Sequence, residues 1–326
     1  MRVGERMIRT MITTILVLML STTSATVNTV NITEDISMPI LTLGTGGWND
    51  SFAEDAVFLG LTSGFDAIHA AFDYYNLRGV GRGLKKSGRN RQDIFVTAMT
   101  SPCFHNASRP VRNVTDPTKC QELTETEIET TIRELGVEYV DLLLLHGPNE
   151  PFGTIGACDA TANEMNLAQW KAYEKKLREG RTRAIGVSNY CPSCLDAFRG
   201  HVHPVLNQIQ LHVGMGKDPE NLLSYCHENS IVVQAYSPLA AGGVASDPLC
   251  SSVGRKYNRS AAEVGLRWIV RQENVAVVVK TSSSEYMSQD LGVFDWEITD
   301  EDASLLNQAT TPKGQQDGRP SWGCTK

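Results

Sequence analysis

The sequence contains no run of five or more basic residues, and its formal net charge is -7 at pH 7. Proteins that bind nucleic acid or an anionic membrane surface usually present a basic patch, so we expect neither kind of partner. Residues 38–310 also lack a linker, a low-complexity tract and a charge block. With 41% hydrophobic and 21% charged residues among 326, the composition is that of a folded globular protein.

No stretch of the N-terminal region is apolar enough for a permanent membrane span. The apolar-rich segment at residues 12–20 has only nine residues, which is too few to cross a bilayer. It follows Arg2, Arg6 and Arg9 and precedes the small residues of 21–25. This order predicts a secretory signal peptide over residues 1–25, with an uncleaved anchor as the alternative. We therefore expect a secreted or luminal protein with one domain over residues 26–326 and no stable membrane span after cleavage.

A secretory route would place the chain in an oxidising compartment, where cysteines pair and Asn-x-Ser/Thr triplets accept glycans. The eight cysteines allow up to four disulfide bonds, and the sequence does not define their pairing. They are Cys103, Cys120, Cys158, Cys191, Cys194, Cys226, Cys250 and Cys324. The possible glycan acceptors are Asn31, Asn49, Asn106, Asn113 and Asn258.

Two cysteine pairs lie close to predicted strand ends. Cys191 and Cys194 form a C-x-x-C motif at the start of a helix, which is typical of a redox-active pair or of a structural pair in a secreted protein. We favour the structural pair. A zinc site would need two more ligands at suitable spacing, so we predict no metal. If Cys103 and Cys120 are bonded, they enclose a glycosylated surface loop near the predicted ligand site.

Short apolar runs alternate with longer segments of helical period between residues 38 and 310. The runs are ILTLGT, FDAIHAA, IFVTAM, VDLLLLHG, AIGVSN, VLNQIQLH, IVVQAYSPL and VAVVVKTS. This alternation predicts a parallel (β/α)8 barrel, also called a TIM barrel. Among the helices, Thr124 and Ser260 are the predicted N-caps and Gly136 a predicted C-cap. An open doubly wound sheet is the alternative fold, but no G-x-G-x-x-G turn follows the first strand.

In such a barrel, functional groups lie at the carboxyl ends of the strands and in the loops that follow them. The predicted strand ends carry mostly polar residues, so we expect a ligand site there. They carry His69 or Ala70, Met99, His146, Ser188 with Asn189, Gln208 to His212, Tyr236 to Leu239, and Lys280 with Thr281.

The chain resembles the aldo-keto reductases from residue 38 to about residue 310. The resemblance rests on MPILTLGT, DLLLLHGP, RAIGVSNY, LNQIQLH, VVQAYSPLA and VVVKTSS, which occur in this order and at this spacing. Members of that family are (β/α)8 barrels that transfer hydride between NAD(P)H and a carbonyl. The resemblance therefore implies NADP or NAD as cofactor and a small-molecule aldehyde or ketone as substrate. It implies no oligomeric state.

The family uses four side chains for proton transfer. A tyrosine donates the proton, a histidine orients the carbonyl oxygen, and a lysine paired with an aspartate lowers the pKa of the tyrosine. The stretch GFDAIHAAFDYYN resembles the family's G-Y-R-H-I-D-T-A-x-x-Y-G-N, which implies Tyr74 as the proton donor. The family's histidine falls on His146. Its aspartate falls on His69 and its lysine on Met99.

These two replacements have opposite consequences for folding and for catalysis. A buried lysine without its aspartate would cost roughly 3 to 5 kcal/mol, so the loss of both charges is compatible with a well-packed fold. Tyrosine has an unperturbed pKa of about 10, and with Met99 in place of the lysine no ammonium lowers the pKa of Tyr74. Asp66 and Asp73 do not align with the family's aspartate and so do not replace it. A protonated His69 is the alternative source of a positive charge near Tyr74. We expect reduced or altered activity, or a non-catalytic protein of the secretory pathway that binds a cofactor or another ligand.

The cofactor positions follow the family more closely. The resemblance implies cofactor contacts for Gly44, Thr45, Ser188, Asn189, Gln208, Tyr236, Ser237, Leu239, Lys280 and Thr281. Among them, the amides and Ser188 would hold the nicotinamide carboxamide, and Tyr236 would stack on its ring. Tyr286 and Asp290 stand where family members often carry an arginine and an asparagine, so a preference for NADPH over NADH is open. Trp322, in the C-terminal tail, is expected to line the pocket.

Overall fold

The computed structural model describes residues 28–105, 112–149, 158 and 160–312. Strands and helices alternate through these ranges. The strands are β1 Thr29–Asn31, β2 Ser37–Pro39, β3 Leu41–Gly44, β4 Ala67–Ala71, β5 Phe95–Thr100, β6 Phe104–His105, β7 Arg112–Asn113, β8 Val140–Leu145, β9 Thr182–Ser188, β10 Leu206–Gln210, β11 Val232–Tyr236 and β12 Val275–Val279.

The α-helices follow most of these strands along the chain. They are α1 Asp50–Ser63, α2 Leu77–Lys86, α3 Pro117–Leu135, α4 Ala160–Arg178, α5 Pro192–Leu195, α6 Leu222–Glu228, α7 Pro248–Tyr257, α8 Ala261–Val270, α9 Ser284–Leu291 and α10 Asp300–Asn307.

Eight strands close into a parallel barrel, which confirms the predicted (β/α)8 fold. Around the barrel they run β3, β4, β5, β8, β9, β10, β11 and β12, and β12 pairs with β3 to close the ring. Antiparallel β1 and β2 form a hairpin before the barrel. Val30 and Met38 of this hairpin pack with residues near the amino ends of barrel strands, such as Phe95, so the hairpin covers that end.

The barrel strands are apolar because both of their faces are buried. Every residue of β8 (VDLLLL) and of β12 (VAVVV) is buried. One set of side chains packs inside the barrel, including Leu142 and Leu144, and the other packs outwards against the helices, including Leu143 and Leu145. Polar side chains that meet a ligand are therefore expected at the carboxyl ends of these strands.

Helix ends were predicted with mixed success. Ser260 caps α8 in a capping box with Glu263, and Gly136 ends α3 in the left-handed conformation, as predicted. The predicted cap at Thr124 is wrong, because α3 begins at Pro117 with Asp116 as its N-cap. Inside that helix, the Thr124 hydroxyl instead donates to the Cys120 carbonyl at 2.9 Å.

Two disulfide bonds join described residues, Cys103–Cys120 and Cys158–Cys194. The predicted pairing of Cys191 with Cys194 is therefore wrong, both as a redox-active and as a structural pair, because Cys194 bonds to a residue 36 positions earlier. Cys191 is itself disulfide-bonded. A C-x-x-C spacing allows a local bond but does not require one.

The signal peptide, Asn106 and Trp322 lie outside the described residues. The other possible glycan acceptors are exposed; they are Asn31, Asn49, Asn113 and Asn258. Within the described ranges, no helix is both long and apolar enough to cross a membrane.

Candidate active site

A cavity of about 530 Å³ opens at the carboxyl ends of the barrel strands, where the sequence predicted a ligand site. Most of the predicted site residues line it. They are Gly44, His69, Tyr74, His146, Ser188, Asn189, Gln208, Tyr236, Ser237 and Lys280, joined by Gly46, Gly47, Pro238 and Val278.

The other predicted site residues lie outside this lining. The Thr45 hydroxyl donates to the His69 carbonyl at 3.0 Å, and the Thr281 hydroxyl accepts from the Ser283 N–H at 3.3 Å. Leu239 packs against the hydrophobic core, and Met99 is buried inside the barrel. The hydroxyls of Thr45 and Thr281 thus form hydrogen bonds to backbone groups near the strand ends.

Asn189 lies at the centre of a hydrogen-bond network on one side of the cavity. Its side-chain amide donates to the His146 carbonyl at 2.9 Å and to the Ser188 hydroxyl at 3.1 Å. Its side-chain oxygen accepts from the Tyr236 hydroxyl at 3.0 Å. Asn189 has a φ of 65°, and Ser237 has a φ of 49°. Left-handed backbone is uncommon outside glycine and concentrates at functional sites, and here it occurs twice in one cavity wall.

The Gln208 amide is held by a second network across the barrel. It donates to the Gln234 side-chain oxygen at 2.7 Å, and Gln234 donates to the Thr42 hydroxyl at 3.2 Å. All three residues are buried. Their hydrogen bonds fix the orientation of the Gln208 amide before any ligand enters.

The rings of Tyr74 and His146 lie next to each other in the same cavity. Their ring centroids lie 5.7 Å apart in an edge-on arrangement. A Cβ added to Gly46 would come within 3.0 Å of the Tyr74 ring, so glycine allows the close approach of this loop. The His146 Nδ1 lies 2.9 Å from the Asp73 Oδ1. The sequence placed Asp73 off the family's register and gave it no role.

His69 is almost fully buried at the base of the cavity, with 2% of its surface exposed. Among the described residues its Nε2 has no hydrogen-bond partner. Burial, and then the neighbouring His146, lower the pKa of His69 to about 3. The alternative in which a protonated His69 replaces the missing cation is therefore not supported, because His69 is neutral at neutral pH.

Met99 is fully buried among apolar side chains inside the barrel. Ala71, Leu142 and Leu144 belong to the same cluster, and the Tyr74 ring packs against it. Burial, and then the negative charge of Asp73, raise the pKa of Tyr74 above its ordinary value. The surroundings of Tyr74 thus favour its neutral hydroxyl over the phenolate.

Comparison with known proteins agrees with this geometry. Residues 40–310 match the model of the aldo/keto reductase family. The chain belongs to this family. An aldo-keto reductase of Mycolicibacterium vanbaalenii is 32% identical over 88% of this chain and 93% of its own length. The morphine 6-dehydrogenase of Pseudomonas putida is 30% identical, with 86% and 91% covered.

Other aldo/keto reductases extend the comparison. The glyoxal reductase of Bacillus subtilis is 28% identical over 86% of this chain and 92% of its own. The crystal structure of an aldo/keto reductase from Brucella melitensis superposes with a TM-score of 0.74 and 28% identity, covering 87% of this chain and 98% of that one. Family membership supports a nicotinamide cofactor and a small-molecule substrate.

The residues in the cavity fit such a cofactor. The amides of Asn189 and Gln208 both donate and accept, which suits a carboxamide. Lys280 supplies a cation at the rim, where its Nζ lies 5.3 Å from the centroid of the Trp48 ring, and a Cβ on Gly47 would come within 3.3 Å of this Nζ. When bound, a nicotinamide cofactor supplies or accepts hydride. Among the described residues, no group of three or more His, Cys, Asp or Glu could hold a metal ion.

The two positions that the resemblance links to cofactor preference lie in helix α9. Tyr286 is 59% exposed, and Asp290 is buried. Burial, and then the charge of Glu263, raise the pKa of Asp290 to about 7. Neither side chain offers the guanidinium with which proteins often bind a phosphate group.

Proposed function

We propose that this chain is a nicotinamide-dependent oxidoreductase that transfers hydride between the cofactor and a small aldehyde or ketone, with reduced or altered activity. One observation carries the proposal: a single cavity is lined by Asn189 and Gln208, whose amides suit a carboxamide, and by Tyr74 and His146. A carbonyl bound beside Tyr74 and His146 would face two hydrogen-bond donors. Such donors stabilise the negative charge that develops on the carbonyl oxygen during hydride addition.

Reduced activity follows from the surroundings of Tyr74. The positions that the resemblance assigns to the family's aspartate and lysine hold a neutral imidazole and a buried thioether, His69 and Met99. No cation at these positions lowers the pKa of Tyr74, and Asp73 acts in the opposite direction. Since general acid catalysis contributes roughly 100- to 10,000-fold, weaker proton donation slows the reaction without abolishing it.

For the cofactor, we propose that NADH is accepted at least as well as NADPH. A 2'-phosphate carries negative charge, and Arg binds such a group by a bidentate fork. Tyr286 lacks that fork, and ionised Asp290 would repel a phosphate. Lys280 remains as a cation at the cavity rim.

A non-catalytic role is the second candidate. In that case the chain would bind a nicotinamide cofactor or another ligand without turnover. The buried, apolar surroundings of Met99 favour this reading, because no ionisable group stands there to assist Tyr74.

We also propose that the protein works in the secretory pathway. The basic, apolar and small-residue order of residues 1–25 supports this. The two disulfide bonds support it too, because such bonds persist in oxidising compartments. Exposed glycan triplets are consistent with the same route.

The test uses the chain expressed with oxidative folding and deglycosylated. Fluorescence titration with NADH and NADPH measures cofactor binding, and a single-turnover assay with glyoxal as a reactive aldehyde measures hydride transfer. Gln208→Ala should weaken the binding of both cofactors. Gln272→Ala, the same change near the opposite end of the barrel, should not.

Binding with turnover supports the reductase. Binding of a cofactor with no oxidation of NADH or NADPH would leave only the non-catalytic candidate. If neither cofactor binds, both candidates are wrong.

A further inference from the structure

Asp73 and His146 form a carboxylate–imidazole pair that the resemblance does not assign. The Nδ1 of His146 lies 2.9 Å from the Oδ1 of Asp73, and the two side chains are 24% and 20% exposed. They come from different strand ends, since His146 follows β8 and Asp73 lies in the short 3-10 turn after β4. This contact fixes the direction in which the imidazole faces.

The carboxylate accepts a hydrogen bond, so Nδ1 must donate its N–H. In the neutral ring, this leaves the lone pair on Nε2. His146 lines the cavity, and among the described residues its Nε2 has no partner. A carboxylate that holds an imidazole in this tautomer is the arrangement that general-base histidines use.

We propose that His146 is the catalytic residue that carries the proton in this reaction, and that Asp73 is the positioning residue that enables it. This rests on the proposed function above. In reduction, the carbonyl carbon would accept the hydride that a bound reduced nicotinamide supplies, and the π pair of the carbonyl would move onto its oxygen. That oxygen takes the proton from the Nε2 of the His146 imidazolium. The N–H···O bond from Nδ1 to Asp73 persists, and solvent later returns a proton to Nε2.

Alcohol oxidation uses the same pair in reverse. The neutral Nε2 takes the hydroxyl proton while the alcohol carbon gives hydride to the oxidised nicotinamide. The imidazolium that forms keeps the hydrogen bond from its Nδ1 to the Asp73 carboxylate.

Asp73 acts differently on the two side chains that could carry the proton in this cavity. Its carboxylate holds the Nδ1 of His146, which leaves Nε2 for the substrate, and it destabilises a neighbouring phenolate. It therefore orients His146 for proton transfer and opposes proton release by Tyr74. With neutral His69 and apolar Met99 nearby, the described residues provide no compensating cation for Tyr74 at those two positions. The Tyr74 hydroxyl remains a hydrogen-bond donor to the substrate oxygen.

The kinetic test compares Asp73→Asn, Asp73→Glu and Tyr74→Phe in single-turnover reduction of glyoxal. Asp73→Asn keeps the size of the side chain but removes its charge, and we expect a loss of about 100-fold in the rate of hydride transfer. The KM for glyoxal and the affinity for NADH should change by less than about threefold, since neither contact is removed. Asp73→Glu should keep part of the rate, and Tyr74→Phe should lower the rate of hydride transfer less than Asp73→Asn does.

One result would overturn the roles of His146 and Asp73 without overturning the reductase. In that result the unaltered chain reduces glyoxal, Asp73→Asn keeps the full rate, and Tyr74→Phe abolishes the reaction. If the unaltered chain binds NADH but does not reduce glyoxal, the proposed reductase is overturned and this role with it. Circular dichroism of each variant shows whether a lower rate results from impaired proton transfer or from loss of the folded structure.

A second readout needs no turnover. In cofactor-free protein labelled with ¹⁵N-histidine, long-range ¹⁵N–¹H correlation spectra report which ring nitrogen carries the proton. We expect the neutral ring of His146 to be protonated on Nδ1, with the signal assigned by its absence in His146→Gln. Protonation on Nε2 instead would contradict the Asp73 contact and overturn the proposal.

Discussion

Met99 of β5 pairs directly with Ala71 of β4 in the barrel register, and the Met99 side chain is fully buried. His69 lies two residues before Ala71 on the same strand, where it is also buried. The positions that the resemblance assigns to an ion pair are thus occupied by two uncharged side chains on neighbouring strands. Neither side chain leaves an unpaired charge inside the barrel, and neither places a cation beside Tyr74.

Met99→Lys alone should lower the free energy of unfolding by roughly 3 to 5 kcal/mol, because a buried ammonium would lack a carboxylate partner. His69→Asp alone should also be destabilising for the converse reason. The double variant should be more stable than the sum of the single changes predicts, and urea unfolding of all four proteins measures this coupling. We further expect the double variant to reduce glyoxal faster. A double variant with no coupling, or with an unchanged rate, would contradict the lost ion pair.

The barrel could be predicted because its signal is local. Each strand is an apolar run buried on both faces, and each helix has its own period and caps, as at Ser260. The cavity could be predicted because the carboxyl ends of parallel strands converge, so Ser188, Gln208 and Lys280 come to line one cavity when the barrel closes.

The remaining features depend on geometry that no local pattern contains. Asp73 lies in the short 3-10 turn Phe72–Tyr74 that follows β4, and there it reaches His146 after β8, 73 residues further along the chain. Cys194 of α5 bonds to Cys158, which lies two residues before α4, so the bond joins distant parts of the chain. Only the position of Asp73 directly before Tyr74 hinted at a role in the site.

Asp290 should make the protein less stable as the pH rises. Its pKa in the folded state is about 7 against an ordinary value of 3.8, so between these values the folded state binds more protons than the unfolded state. The penalty is absent below about pH 4 and complete above about pH 7. Asp290→Asn should therefore be more stable than the unaltered chain at pH 8, by at most about 4 kcal/mol, and equally stable at pH 4.

Urea unfolding at both pH values measures this difference. Asp295→Asn is the matched control, because Asp295 is exposed a few residues further along the chain. An equal gain from Asp290→Asn at pH 4 and pH 8 would show that ionisation of the carboxyl is not the cause.

Tyr286→Arg should increase the affinity for NADPH at least about tenfold and change the affinity for NADH little. A hydrogen bond to a charged group contributes about 1.5 to 3 kcal/mol, and a tenfold change in affinity corresponds to 1.4 kcal/mol. Tyr286 is 59% exposed, so the longer arginine fits without repacking. Tyr286→Leu controls for loss of the ring, and fluorescence titration with both cofactors measures the result. A gain for NADH as large as that for NADPH would contradict a role in binding the 2'-phosphate.

The Cys158–Cys194 bond should support cofactor binding as well as stability. Cys194 lies in α5, which begins three residues after Asn189. Between them, the Tyr190 hydroxyl donates to the Asn166 side chain at 3.2 Å, and the Asn166 amide donates to the Cys158 sulfur at 3.5 Å. The disulfide and this network therefore hold the turn that places the Asn189 amide in the cavity.

Replacing Cys158 and Cys194 by alanine should cost about 2 to 4 kcal/mol of stability and also weaken NADH binding. The matched control is the double alanine replacement of Cys103 and Cys120, whose bond encloses the loop after β5. That variant should lose stability but keep its affinity for NADH, because the residues assigned to the nicotinamide lie on β9 to β11. If both variants bind NADH equally, the Cys158–Cys194 bond stabilises the fold without positioning Asn189.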